Sequence, residues 1–265
     1  MKKRHLIYVA CLLVAMGACS ATSKERAKIT PDAWGKYNVG TVLFEDKAPE
    51  TKGSDIYHRI IPDAESYIKA QAREVLATLY NSPEDSIPTV NKIHYTLEDI
   101  EGVSAKGGGN GDVTIFYSTR HIEKSFAAND TAKLFFETRG VLLHELTHAY
   151  QLEPQGVGSY GTNRVFWAFI EGMADAVRVV NGGFDGPNAR PKGGNYMDGY
   201  RTAGYFFVWL RDNKDPEFLR KFNRSTLEVI PWSFDGAIKH ILGNEYNIDE
   251  LWHEYQVAVG DIQAQ

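Results

Sequence analysis

The chain has 265 residues, 43% of them hydrophobic, 24% charged and 12% aromatic, the profile of one ordinary folded domain, or one domain in two lobes, with ample material for a core. That balance excludes disordered, collagen-like and multi-span membrane classes. With 29 Lys and Arg against 34 Asp and Glu, a formal charge of −5, the totals suggest no basic nucleic-acid-binding face, and peptides, sugars or small molecules are the expected partners.

The N-terminus opens on Lys2, Lys3 and Arg4, runs apolar from Leu6 to Met16 and reaches Gly17-Ala18-Cys19. A charged start, a short apolar run and a small-residue end predict a secretory signal over residues 1–18, too short to cross a bilayer as a helix. Small residues directly before Cys19 resemble a bacterial lipobox, which implies a lipid on Cys19 and an outer-membrane lipoprotein facing the periplasm or cell surface. Met16 stands where that motif usually has Leu, so plain cleavage and secretion is the alternative. The other of the two cysteines, Cys11, leaves with the signal, so the exported chain is expected to have no disulfide and to depend on its core and a metal.

Residues 19–36 are polar and aperiodic and read as a tether, with the domain beginning at Tyr37. Val39 to Phe44 alternate as a short strand. After Pro62, the residues Ala64, Tyr67, Ile68, Ala72, Val75, Leu76 and Leu79 fall on one 3.6-period face, an amphipathic helix. Ile93, Tyr95 and Leu97 mark a second strand, and Val113, Ile115 and Tyr117 a third, which follows the Gly107–Gly111 run. From there the pattern is helical, over about 132–151, 163–180, 195–212, 215–222, 233–242 and 247–258, with Gly/Pro/Asn breaks between. The predicted class is α+β, a sheet-bearing N-terminal lobe and a helical C-terminal lobe.

Within the first of those later helices the chain reads His144-Glu145-Leu146-Thr147-His148. On a helix, positions i and i+4 lie one above the other, so both imidazoles can share one ion while Glu145 points at a water bound to it. A zinc site needs a third protein ligand. The next helix, otherwise apolar, carries Glu171 and Asp175 at i and i+4, and acids in so apolar a setting require a metal, a His or an Arg as partner. Glu171 is the natural third ligand, with Asp175 accepting the free ring N–H of a zinc-bound histidine. The reverse assignment, Asp175 as ligand, stays open, and Arg178 is a competing partner for either acid.

The segments Gly140 to Gln151 and Ile170 to Arg178, together with Gly199-Tyr200-x-Thr202-Ala203, the Asp112–Ser118 strand and the closing Ile248 to Tyr255, resemble the basic secretory proteins of plants and bacteria. The similarity covers most of residues 40–258. It implies a zincin-like fold with zinc between the lobes, and a metallopeptidase acting on peptides or proteins. The Glu-Gly-x-Ala segment also resembles the third-ligand helix of Glu-type zincins, which favours Glu171 over Asp175.

In that mechanism Glu145 is the general base on a zinc-bound water and returns the proton to the leaving amine. Tyr200 is the first choice for an oxyanion donor and Tyr160 the second. The Asp112–Ser118 strand is a candidate edge for pairing with substrate, or else plain sheet interior. Two other functions remain open on sequence: a surface-exposed binding module with a structural zinc, and a zinc amidase acting on cell-wall or glycan-linked amides. Gly156 to Gly161 satisfies G-x-G-x-x-G but follows a helix, so it is read as a loop and not a dinucleotide site. His58, His94, His121 and His240 are read as structural or solvent-facing, and Phe206, Phe207 and Trp209 as core.

Overall fold

The computed structural model of the protein describes residues 32–184 and 188–263; the signal segment, Cys19 and most of the expected tether lie outside the described residues. Four strands, β1 (Thr41–Asp46), β2 (Lys92–Glu98), β3 (Ser104–Gly109) and β4 (Asp112–Ser118), form one sheet in the order β1-β2-β4-β3. β1, β2 and β4 run parallel, and β3 is antiparallel to β4. All precede residue 119, and the remainder is helical, as the class predicted.

The strand parities hold. Ile93, Tyr95 and Leu97 on β2 and Val113, Ile115 and Tyr117 on β4 are buried, so each strand presents that side to the core. β3 carried no such signal, because Ser-Ala-Lys-Gly-Gly-Gly has no apolar alternation. What specifies it is the turn. Asn110 (φ 53°) and Gly111 (φ 83°) both take positive φ between β3 and β4, the requirement of a tight two-residue hairpin that Asn-Gly meets at low cost. The candidate edge Asp112–Ser118 is therefore corrected: it lies inside the sheet between β2 and β3, and β3 is the edge on that side, as β1 is on the other.

Two helices lie between β1 and β2, α2 (Lys52–Ile60) and α3 (Ala64–Leu79). On α3 the predicted face is buried, with Tyr67 half-buried. α2 and α4 (Thr119–Ser125) are additions to the sequence reading; α4 has only seven residues, and the apolar side chains of α2 are confined to Ile56, Tyr57 and Ile60. A further short helix, α1 (Asp32–Gly35), falls within the expected tether, and its Trp34 is buried and packs edge-on against Tyr37. The packed domain thus starts a few residues earlier than Tyr37.

The main helical series is α5 (Thr131–Tyr150), α6 (Arg164–Val180), α7 (Tyr200–Asn213), α8 (Phe218–Glu228), α9 (Phe234–Leu242) and α10 (Ile248–Ala258). Asp130 caps α5 by accepting from the Lys133 amide, and Asn163 caps α6 by accepting from Val165 and Phe166. The single helix expected over 195–212 is instead a 3₁₀ turn at Tyr196–Asp198 followed by α7. The break falls at Gly199 and Tyr200, with φ of 66° and 42°. The expected 215–222 helix starts and ends later, as α8.

One apolar cluster joins the sheet to the helices. Its densest part is aromatic: Phe169 sits 4.7 Å from Trp232, Phe207 5.0 Å from Phe222, and Trp232 5.0 Å from Phe234, all edge-to-face. Phe206 and Phe207 are fully buried core residues and Trp209 packs against that core. This packing fixes α6 against α7 and α5, and so fixes the acids of α6 relative to the histidines of α5. Among the described residues no helix is long and apolar enough to cross a membrane.

Candidate metal centre and active-site cleft

α5 and α6 meet beneath a cleft of about 970 Å³ whose opposite wall is the start of β3. His144 and His148, one turn apart on α5, aim their Nε2 atoms at each other across 3.0 Å. Glu171 on α6 brings its Oε2 to 3.3 Å from His144 Nε2 and 3.7 Å from His148 Nε2. Tetrahedral donors at about 2.0–2.1 Å from one zinc ion lie about 3.3 Å apart, so three donor atoms are already spaced as one ion would space them.

Two observations favour a cation there. Glu171 is buried and its Oε2 has no hydrogen-bond partner, a costly state for a carboxylate oxygen unless something positive completes it. His144, His148 and Glu171 are also the group of metal-binding side chains that the described residues bring within reach of a single ion. Two imidazoles and a carboxylate suit zinc better than magnesium or calcium.

Asp175, one turn beyond Glu171, accepts a hydrogen bond from His144 Nδ1 at 2.7 Å. Burial alone would push His144 down, but Asp175 and Glu171 outweigh it and raise it to about 10. His148 goes the other way: burial, then the charge on His144, pushes it down to about 3. Glu171 is drawn below the ordinary carboxylate range, because His144, His148 and Tyr160 together overcome its burial.

Glu145 points from α5 toward the start of β3. Burial raises its carboxyl, with His144 and Ser104 opposing, the direction expected of a group that must take up a proton near neutral pH. Tyr200, at the start of α7, lays its ring over His144 with centroids 6.0 Å apart and meets Trp167 edge-on at 5.4 Å. Burial, then Glu171 and Asp175, raise its hydroxyl, so it keeps its proton and can donate. Its left-handed backbone is unusual for a bulky residue. Tyr160, from the loop between α5 and α6, donates to Glu171 Oε1 at 2.6 Å.

Arg178, expected as a rival for the acids, is spent elsewhere. It donates to Glu137 at 2.8 Å and to the Gly183 carbonyl at 2.9 Å, with its guanidinium 4.0 Å over Phe184. His121 pairs with the other oxygen of Glu137, away from the metal-binding group. The sequence reading assigned nothing to Gln151, which touches His148, or to Ser104 and Lys106, which line the cleft. A Gly-rich strand carries no spacing signal, whereas Gln151, three residues after His148, stands at a helical neighbour spacing that points to that contact. The G-x-G-x-x-G segment is indeed loop.

The chain matches the family described as peptidase of plants and bacteria (BSP) over residues 39–255. It belongs to the basic secretory protein family. The match runs from just before β1 into α10, and takes in the whole sheet, the His144–His148 helix and the Glu171–Asp175 helix. The family is one of peptidases. No curated protein and no solved structure matches the chain.

Proposed function

We propose that this chain is an exported zinc-dependent peptidase of the zincin type, in which His144, His148 and Glu171 hold the ion. The observation that carries this reading is the buried Glu171 Oε2, partnerless and facing two imidazole nitrogens at ligand spacing. Zinc in such a site supplies a polarised carbonyl and an acidified water at neutral pH.

The protein's own groups do the rest. Glu145 takes the proton of the attacking water and delivers it to the leaving amine nitrogen. Asp175 fixes the orientation of His144 through Nδ1. The Tyr200 hydroxyl donates to the oxygen of the scissile carbonyl as negative charge builds there; Tyr160, the second choice on sequence, instead donates its one proton to Glu171 Oε1. An extended substrate adds to the outer edge of β3 over Ser104, Ala105 and Lys106, which line the cleft. The export signal, the family's secretory character and a lipid on Cys19 would place this activity outside the cytoplasm.

Cleavage of a diverse peptide library by the zinc-loaded protein, beside Glu145→Ala, tests the proposal. Scission that requires Glu145, with zinc retained in the variant, is the expected result. No scission by protein shown to hold zinc would turn the reading to a binding module or a non-peptide amide substrate.

A further inference from the structure

Each metal-binding histidine must carry its proton on the nitrogen that the ion does not use. For His144 that nitrogen is Nδ1, and Asp175 accepts from it at 2.7 Å. For His148 the nitrogen facing His144 and Glu171 is Nε2, so Nδ1 must be the protonated one. The polar side-chain atom beside it is the amide of Gln151, 2.9 Å away.

As placed, Gln151 turns its Nε2 to that nitrogen and leaves its Oε1 buried without a partner. The two ends of a glutamine amide are nearly identical in shape, and their assignment follows from the hydrogen bonds around them. Exchanging them trades one partnerless atom for another, so a count of satisfied atoms does not decide the matter. The tautomer of His148 does. An amide N–H aimed at Nδ1 would force the imidazole proton onto Nε2, against His144 and in the place of the ion. The amide oxygen at the same position accepts Nδ1–H and leaves the Nε2 lone pair facing the site.

We propose that Gln151 is a positioning residue for His148: its side-chain oxygen accepts the imidazole Nδ1–H and reserves Nε2 for the metal. The two ligand histidines are then held by unlike partners, a carboxylate for His144 and a neutral amide for His148. Gln151 suits this task because it ends α5. Its backbone N–H closes the helix onto the Thr147 carbonyl at 2.8 Å, while its extended ψ of 149° takes the chain out of the helix. Its buried side chain lies beside the last-turn histidine. The inference rests on the metal reading of the site proposed above.

The test compares zinc affinity of the wild-type protein, Gln151→Leu and Gln151→Glu by competition with a chromophoric chelator, with melting of the zinc-free proteins as a control for folding. Gln151→Leu is expected to bind zinc about 10–100-fold more weakly, and Gln151→Glu, which restores an acceptor, to recover most of that loss. If the side chain only fills space, the buried carboxylate should do no better than leucine, and that result overturns the proposal. So does equal affinity of Gln151→Leu and wild type, which leaves the metal reading intact. Wild-type protein that takes up no zinc removes both. Nitrogen-15 NMR of the zinc-loaded wild-type imidazoles decides without any variant: His148 protonated at Nδ1 is expected, and protonation at Nε2 overturns the proposal.

Discussion

Tyr160 and Glu171 are joined by a 2.6 Å hydrogen bond from the phenol to Oε1, which leaves Oε2 of the same carboxylate turned toward the two histidines. One oxygen is anchored so that the other is presented. Asp175 is used differently: its Oδ1 is committed to His144 Nδ1, and it acts on the site through that ring.

This division ranks the two acids. Glu171→Ala removes a donor from the metal-binding group and should lower zinc affinity by well over 100-fold. Asp175→Ala leaves all three donors and should cost about 10–100-fold, as loss of an outer partner does. Metal content after dialysis against graded chelator reads the order directly, and the reverse order would assign Asp175 as the ligand.

Glu137 lies seven residues before His144 on α5 and binds both Arg178 on α6 and His121 on α4. Its burial favours the neutral acid, but His121 and Arg178 outweigh that and hold its carboxyl below the ordinary range. A carboxyl lowered on folding stabilises the native state above its unfolded pKa of about 4.3, and that stability is lost as pH falls through the lower folded value. Glu137→Gln should therefore cost about 1–3 kcal/mol near pH 7, with the gap to wild type closing in acid below about pH 4. Thermal or urea unfolding across that range is the measurement. A gap that persists unchanged in acid would mean the charge on Glu137 does not clasp α5 to α6.

Gly204 on α7 lets that helix approach α6 where the acids lie. A Cβ there would stand 2.9 Å from the Ala176 nitrogen and 3.0 Å from both the carbonyl carbon and the Cβ of Asp175, mostly backbone that cannot rotate away. Gly204→Ala should destabilise by about 1–3 kcal/mol and weaken zinc binding as well, since relief requires moving Asp175. Measuring both separates the effects: loss of stability with unchanged zinc affinity would show that α6 yields elsewhere.

The parts that could be read from the chain were those set by local geometry. His144 and His148 meet because any α-helix superimposes i and i+4. The acids of α6 stand out because two carboxylates in an apolar helix need a partner wherever that helix packs. The strand parities of β2 and β4 and the buried face of α3 follow from the periods of the backbone itself. Short or composition-poor elements escaped: α4 is too brief for a period to show, α2 has its apolar side chains confined to Ile56, Tyr57 and Ile60, and β3 is specified by the Asn110-Gly111 turn and its pairing with β4.

The sequence by itself determined the histidine pair, the glutamate beside it, the acid-bearing helix and the α+β class, because each rests on a repeat within a few residues. The tertiary structure alone decided that Glu171 faces the imidazoles while Asp175 stands behind His144, that Arg178 turns to Glu137, and that β3 and not β4 is the outer strand on that side of the sheet. The pairings between helices depend on how far apart α5, α6 and α7 sit and at what rotation. Aromatic packing among Phe169, Phe207, Phe222 and Trp232 and the close approach at Gly204 set α7 against α6, while Leu142, Leu143 and Leu146 bring α5 into the same core, and such contacts leave no periodic trace in the chain.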